Sequence, residues 1–561
     1  MATSKGLLLG ALCCVSMSVL SASTTEAGIP RTSYIVEGPS AAWVAQTVIK
    51  AGGQITHDLP IVNGVSALLT QSEVDLLQRQ QGLSLFADAP VKSQSQSQSQ
   101  TQTLYSFNGY YGYTVGNSPI DPYARTLTGV ENAAAQGFDG TGVTVAVLDS
   151  GAWYMDSNVT NSARGNRLLN MFDAVHNVLN WYPDQYGHGT HIITIMTSSD
   201  TSLTGRPLGI APSASLIVVG AFDQNGTSSY ASVINGLNWV LQNRTLYNIR
   251  VLNLSFGAKP QSYYWNDPID QAVMKLWQAG VVVVCSAGNF GPKAQTIAVP
   301  GNTPYVITVG AMTDNWTPND PTDDGVTSFS SAGPTFEGFV KPEVVAPGGH
   351  LLGDMDSSAM TIAKTYPSFA TPAFDRYVMS GTSQAAAVVS GVVALMIQAH
   401  PSLTPDQIKC QLIASAAGLV NSSGKAAYSV FQQGAGLVNA YNAINSKAAN
   451  CANVGLNIAA DIAGTKHFGG PAHQNPSTGQ FYLVDASGNP MSADGYLWNN
   501  SFAKNQGYLW NNGYLWNNGY LWNNGYLWNN GYLWNNGYLW NQSTVTPAST
   551  AMGSESWNNQ E

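Results

Sequence analysis

Four residues of this chain have the types and settings that acyl transfer requires. Asp149 closes VTVAVLD, His188 opens HGTHI, Asn289 follows VVVVCSAG, and Ser383 opens the apolar run SQAAAVVSGVVALM. Cleaving a peptide bond with a serine needs a hydroxyl nucleophile, an imidazole to take its proton, a carboxylate to orient that imidazole, and donors for the developing oxyanion. The sequence offers one of each. A serine at a helix start lies beside backbone N–H groups without intrahelical partners, so its own amide and the Asn289 side chain could both face a carbonyl oxygen gaining charge. Taken singly, an Asp after a strand or a Ser before a helix is ordinarily a cap or turn residue. His191, three residues after His188, would suggest a metal pair, but no third ligand accompanies it and no metal site is expected. Cys285 reads as a buried strand residue rather than a nucleophile.

These side chains need a scaffold, and the segment from about 120 to 448 supplies the pattern for one. VTVAVLD, SLIVVGAF, VLNLSF, VVVVCSAG and VITVGA are short β-branched runs, separated by helical stretches such as YASVINGLNWVLQN and PIDQAVMKLWQAG. Strands without a polar face, alternating with helices, predict an α/β fold: a mostly parallel sheet with helices on both faces. In such sheets ligands gather beyond the carboxyl ends of the strands. The four residues fall at such ends or at helix starts. The run Ala385–Ala399 is too short for a membrane span and carries Ser390, Gly391 and Gln398, so it reads as a buried core helix.

Taken in the order Asp, His, Asn, Ser, these strings closely resemble those of the subtilisin-like serine proteases, over about residues 120 to 448. VLNLSFG, SSAGPTFEGFVKPEVVAPG and HPSLTPDQIK add to the resemblance, and in the last string Thr404, Pro405 and Gln407 also make a sound helix start. The resemblance implies a triad of Asp149, His188 and Ser383, with Asn289 as an oxyanion donor. It requires no cofactor for the chemistry and leaves structural calcium open. Three departures bear on packing and rate rather than on the nucleophile. Ile192, Ile193 and Thr194 stand where small residues usually let two helices approach, Ala387 stands where proline is usual, and Glu343 stands where aspartate is commoner.

The same resemblance implies how a polypeptide substrate would bind. Gly226, Thr227 and Ser228 would form one edge strand and Ser255, Phe256 and Gly257 another, with an extended peptide pairing between them. Phe256, Ala287 and Gly288 would line the first specificity pocket, with Tyr230 near a more distant apolar one. None is charged, so cleavage after apolar or aromatic residues is expected.

Upstream, residues 33–91 read as a small α+β unit in the order βαββαβ, of ferredoxin-like type, with Ser72 and Asp75 capping its second helix and Asn63-Gly64 at a tight turn. Its position resembles an inhibitor-type prodomain, implying a temporary inhibitor of the same chain. SQSQSQSQTQT, residues 93–103, marks a polar linker, 92–119, as a maturation region.

The first 27 residues follow a signal-peptide pattern: Lys5, an apolar stretch from Gly6 to Leu20, then Ser21, Ala22, Ser23 and Ala27. An extracellular protein is therefore expected. Without that segment the cysteines are Cys285, Cys410 and Cys451, which permit at most one internal disulfide. Charged residues are 10% of the chain and the net charge is −10, which argues against nucleic acid or an anionic membrane as partner. Protein or peptide substrates fit better. Residues 449–561 read as a tail carrying GYLWNN at 495–500 and six contiguous near-copies from Gly507 to Gln542. Such an array could stack as a small β-structure or stay unstructured, and its rings could grip polysaccharide or a cell surface. Two other readings stand beside this one: a catalytically dead relative, against which the four intact site residues speak, and a surface-binding protein whose tail is the working part, which digestion of casein by a chain without residues 450–561 would test.

Overall fold

A computed structural model describes residues 30–93 and 123–491, apart from short breaks at 180–182, 203–204, 316–319, 321, 371–374, 421–425 and 485–489. The signal-peptide pattern, most of the linker and the GYLWNN array lie outside the described residues.

The amino-terminal unit has the expected order: β1 Thr32–Glu37, α1 Ala41–Lys50, β2 Gln54–Leu59, β3 Gly64–Leu69, α2 Gln71–Gln78 and β4 Ser84–Ala87. Its strands form an antiparallel sheet in the order β2-β3-β1-β4. Alternation along β1 divides its side chains between two cores. Val36 joins Val44, Val48, Val65 and Leu77 inside the unit. Ile35, with Leu59, Ile61 and Val62, enters the large core of the following domain. Gly64 is required where β1 crosses, since a Cβ there would stand 2.3 Å from the Val36 carbonyl oxygen.

The second helix is capped differently from the expectation. Thr70, not Ser72, is the N-cap: its hydroxyl accepts from Glu73 N at 3.3 Å, and Glu73 Oε2 accepts from Thr70 N at 2.9 Å. Glu73 completes this reciprocal pair because Arg31 holds its carboxylate at 2.7 Å. A last short strand, β5 Pro90–Ser93, leaves the unit and pairs with the domain that follows.

That domain is built on β6 Thr144–Asp149, β7 Leu168–Asp173, β8 Ser215–Gly220, β10 Ile249–Leu254, β12 Val282–Ser286, β13 Ile307–Thr313 and β14 Val344–Pro347, with β9 Thr227–Ser229 and β11 Phe256–Gly257 outside the main sheet. The seven main strands are parallel in the order β7-β8-β6-β10-β12-β13-β14, and short antiparallel strands flank the sheet. Strand β6 is buried along its whole length, as the absence of a polar face predicts. Helices α3 His188–Thr197, α4 Tyr230–Asn243, α5 Pro268–Gln278, α6 Thr382–Ala399 and α7 Pro405–Ser415 pack around the sheet.

Helix α6 meets the length and apolarity of a membrane span, yet 89% of that window is inside the protein. It is the core helix. It packs directly on α3, with Ile192 and Ile193 fully buried. Gly391 on α6 makes room for Ile210, in the segment after α3: a Cβ there would stand 2.5 Å from Ile210 Cβ, while the Met196 carbonyl oxygen on α3 would lie at an ordinary 3.4 Å. Glu343 is also buried, reaching Lys341 at 2.8 Å, Lys409 at 2.9 Å and Thr308 N at 2.7 Å.

The boundary at 448 needs correction. Packing continues through α8 Ile458–Ile462 to Val484, and Phe468 and Leu483 belong to the main core. A disulfide joins Cys410 on α7 to Cys451, while the Tyr264 and Tyr305 hydroxyls donate to Asp461 Oδ2 at 3.0 and 2.6 Å. Aromatic and polar anchors scattered over 449–484 carry no regular period, so the low charge of this stretch conceals a folded segment. Cys285 is free and buried, and burial pushes its thiol far above the usual range.

Candidate active site

Asp149 is the last residue of β6, at the carboxyl edge of the parallel sheet, and is 1% exposed. Its Oδ1 accepts from Ser150 N at 2.7 Å and from His188 Nδ1 at 2.8 Å. With that proton on Nδ1, His188 Nε2 is the atom left to accept one. His188 is the first residue of α3, and the start of that helix is fixed by a residue that motif reading passed over. Asp184 Oδ1 accepts from Gly187 N at 2.7 Å and Tyr186 N at 3.1 Å, while Oδ2 accepts from Thr190 N at 2.8 Å and Thr190 Oγ1 at 2.7 Å. An Asp four residues before the His, in DQYGHGT, was the available signal for such a cap. Gly189 lets the helix start approach the loop after β6, because a Cβ there would stand 2.4 Å from the Gly151 carbonyl oxygen.

Ser383 is the second residue of α6 and fully buried. Its Oγ donates to the Ser255 carbonyl at 3.1 Å, and Ser255 Oγ donates to the Ser383 carbonyl at 3.1 Å. Behind this pair, Asn253 Nδ2 donates to Ser255 Oγ and Ser390 Oγ donates to Asn253 Oδ1, both at 2.8 Å. The serine is therefore held by the residue between β10 and β11, and His188 Nε2 is buried without a hydrogen-bond partner among the described residues. The two helix starts lie together, since Gln384 Nε2 is 3.5 Å from His191 Nδ1, one turn after His188. Moving the serine proton to His188 thus requires the Ser383 hydroxyl to turn away from Ser255.

Asn289 lies beyond the end of β12. Its Oδ1 accepts from Thr382 N at 3.0 Å and Thr382 Oγ1 at 2.9 Å, and Thr382 Oγ1 in turn accepts from Gly288 N at 3.2 Å. Its amide is tied by its oxygen to the residue preceding Ser383. His191 is committed elsewhere: Nε2 donates to the Tyr377 carbonyl at 3.1 Å, and burial pulls its pKa down to about 3. Among the described residues no group of three His, Cys, Asp or Glu could hold a metal ion.

The proposed substrate residues fall on two short edges. Strand β9 begins at Thr227, one residue after Gly226, and β11 is Phe256–Gly257. The Phe256 ring is fully buried 5.4 Å from that of Phe222, and Ala287 and Gly288 are buried at the end of β12. Gly288 has φ +109, and a Cβ there would stand 2.7 Å from Ser331 Oγ. Tyr230 opens α4, buried, with its hydroxyl donating to Asp267 Oδ2 at 2.9 Å. Its polar tip is thus satisfied inside the domain.

Residues 140–436, which hold all of these groups, match the profile of the Subtilase family of peptidases. The chain belongs to the subtilase family. Among subtilases, serine protease AprX of Bacillus subtilis is 37% identical over 55% of this chain and 67% of its own length. Subtilisin E of Bacillus subtilis is 28% identical over 76% of this chain and 93% of its own. Fervidolysin from Fervidobacterium pennivorans, a keratinolytic enzyme related to subtilisin, shares the fold with a TM-score of 0.56 at 21% identity. That match covers 75% of this chain and 62% of fervidolysin. The protein is a subtilisin-type serine protease.

Proposed function

We propose that the chain is a secreted endopeptidase that cuts peptide bonds through Asp149, His188 and Ser383, with Asn289 as oxyanion donor. The observation that carries this reading is the buried 2.8 Å bond between His188 Nδ1 and Asp149 Oδ1, on a helix whose start adjoins that of the Ser383 helix. Ser383 Oγ turns from Ser255 toward His188 Nε2, gives up its proton there and attacks the substrate carbonyl carbon. The oxyanion receives hydrogen bonds from Ser383 N and Asn289 Nδ2. The C–N bond then breaks, His188 returns the proton to the leaving amine, and water resolves the ester by the reverse transfer.

A substrate would lie extended between β9 and β11, where backbone pairing reads little sequence. Phe256, Ala287 and Gly288 are uncharged, which supports a broad apolar or aromatic preference. Strand β5 already lies between those two edges, which supports the unit at 33–91 as a temporary inhibitor of this same site. Secretion rests on the signal-peptide pattern, and contact of the GYLWNN tail with polysaccharide or a cell surface rests on its repeated Tyr and Trp.

The test is Ser383→Ala in the full chain. Hydrolysis of casein and covalent labelling by a fluorophosphonate should both vanish while the circular dichroism spectrum is kept, and labelling that persists would overturn the assignment.

A further inference from the structure

Gln384 follows Ser383 in the first turn of α6, is fully buried, and takes no part in the proton transfer from Ser383 to His188. Its carboxamide has one favourable orientation. His191 is neutral, since burial pulls its pKa down to about 3, and its Nε2 proton goes to the Tyr377 carbonyl. His191 Nδ1 is therefore a lone pair, which only the amino end of Gln384 can meet, Nε2 donating to it at 3.5 Å. The ring that sets this orientation is itself closely packed: a Cβ at Gly353, on the strand Leu351–Asp354, would stand 2.5 Å from His191 Cδ2.

Held by its nitrogen, Gln384 turns its oxygen the other way. Oε1 is buried and has no hydrogen-bond partner among the described residues, a condition it shares with His188 Nε2. A buried acceptor without a donor is costly, so one kept beside a nucleophile calls for a use. Gln384 adjoins Ser383 in the chain, and its carboxamide rests on the residue one turn after His188. The nitrogen of a peptide bond under attack has to lie between Ser383 Oγ and His188 Nε2, and it carries one N–H.

We propose that Gln384 is a further catalytic residue, its Oε1 accepting the N–H of the peptide bond being cut. This rests on Ser383 as nucleophile and His188 as its base. When Ser383 Oγ bonds to the carbonyl carbon, the nitrogen turns from planar to pyramidal. Its lone pair then faces the proton on His188 Nε2, and its own N–H points to the other side, toward Gln384 Oε1. The lone pair takes that proton, the C–N bond breaks with its electrons going to nitrogen, and a neutral amine leaves with the original N–H still donated to Gln384. Because the bond is complete only at the pyramidal nitrogen, it lowers the barrier rather than tightening substrate binding. An ester has no hydrogen on its leaving oxygen and gains nothing, so Gln384 favours amides over esters.

The experiment compares the parent chain with full-length Gln384→Met, which keeps the reach but ends in a methyl group, and Gln384→Glu, which keeps an acceptor oxygen. Active sites are counted with a fluorophosphonate, so that incomplete folding does not enter the rates. The substrates are a peptide p-nitroanilide and the methyl ester of the same acyl group. Gln384→Met should lower the anilide-to-ester ratio of kcat/KM about 3- to 10-fold. It should lower by a similar factor the share of acyl-enzyme captured by added glycinamide rather than water, since amine attack is amine departure reversed. Gln384→Glu should keep both ratios near the parent values. Unchanged ratios in Gln384→Met, an equal fall for amide and ester, or a loss in Gln384→Glu as large as in Gln384→Met would overturn the role and leave Gln384 as packing between α3 and α6. A parent chain that the fluorophosphonate does not label would overturn Ser383 instead.

Discussion

Thr382 holds Asn289 by its oxygen: the Thr382 amide and hydroxyl both donate to Asn289 Oδ1, at 3.0 and 2.9 Å. An amide fixed through its carbonyl leaves its NH₂ group to the other side. In the proposed role of Asn289 as oxyanion donor, this pairing sets the orientation of the side chain. Asn289→Ala should lower turnover by about 10² to 10³ with little change in substrate binding, because the donor acts chiefly on the oxyanion. Asn289→Asp should be at least as harmful, having an acceptor for Thr382 but no donor. Steady-state kinetics and melting temperature, measured on both variants, check this, and a destabilised enzyme with normal turnover would reassign Asn289 to a structural role.

Asp184 accepts four hydrogen bonds at the start of the His188 helix. Asp184→Ala leaves those donors without their acceptor, at a cost of about 1 to 3 kcal/mol. Because the same bonds seat His188, kcat should fall more than KM changes. Thermal unfolding and kinetics of the variant together test the expectation, and a lower melting temperature with unchanged kcat would refute the link to His188.

Glu37 predicts how docking of the amino-terminal unit responds to pH. Burial, with the Asp267 charge adding to it and Lys275 opposing, pushes its pKa up to about 8, while Gln271 Nε2 donates to its Oε2 at 3.4 Å. In the separated unit this carboxyl returns toward its ordinary value of 4.5. The docked form thus favours the protonated acid. Affinity should be greatest below the free value, fall as pH rises through the interval up to about 8, and then level off. Inhibition of the mature enzyme by an added 33–91 polypeptide, followed across that interval, should weaken with rising pH, and Glu37→Gln should flatten the slope. An unchanged slope in Glu37→Gln would exclude this carboxyl.

Truncation distinguishes the folded part of the carboxyl-terminal segment from the rest. A chain ending at 448 loses Cys451 and Asp461, leaving the Tyr264 and Tyr305 hydroxyls buried without their acceptor. Each such loss costs about 1 to 3 kcal/mol. Opening the 41-residue loop closed by the disulfide removes about 4 kcal/mol more by chain entropy. That chain should be aggregated or inactive, whereas one ending at 491 should retain activity and melting temperature. Equal stability of the two would show that 449–484 is dispensable.

The sequence by itself singled out the candidate site residues and the local element each occupies. Asp149 ends a strand and His188 and Ser383 open helices because alternation, periodicity and helix-start signals act within a few residues. The βαββαβ order at 33–91 was legible for the same reason, although Thr70 rather than Ser72 caps its second helix, since Arg31, just before β1, fixes Glu73. What tertiary structure alone decided depends on pairs far apart in the chain. No local pattern brings Asp461 to Tyr264 and Tyr305, sets Glu37 against Gln271, or gives Ser255 the Ser383 hydroxyl. The register of β5 is of the same kind: a four-residue strand pairs with any open edge, and only the two edges offered by β9 and β11, closing on Val91, select which residue meets which.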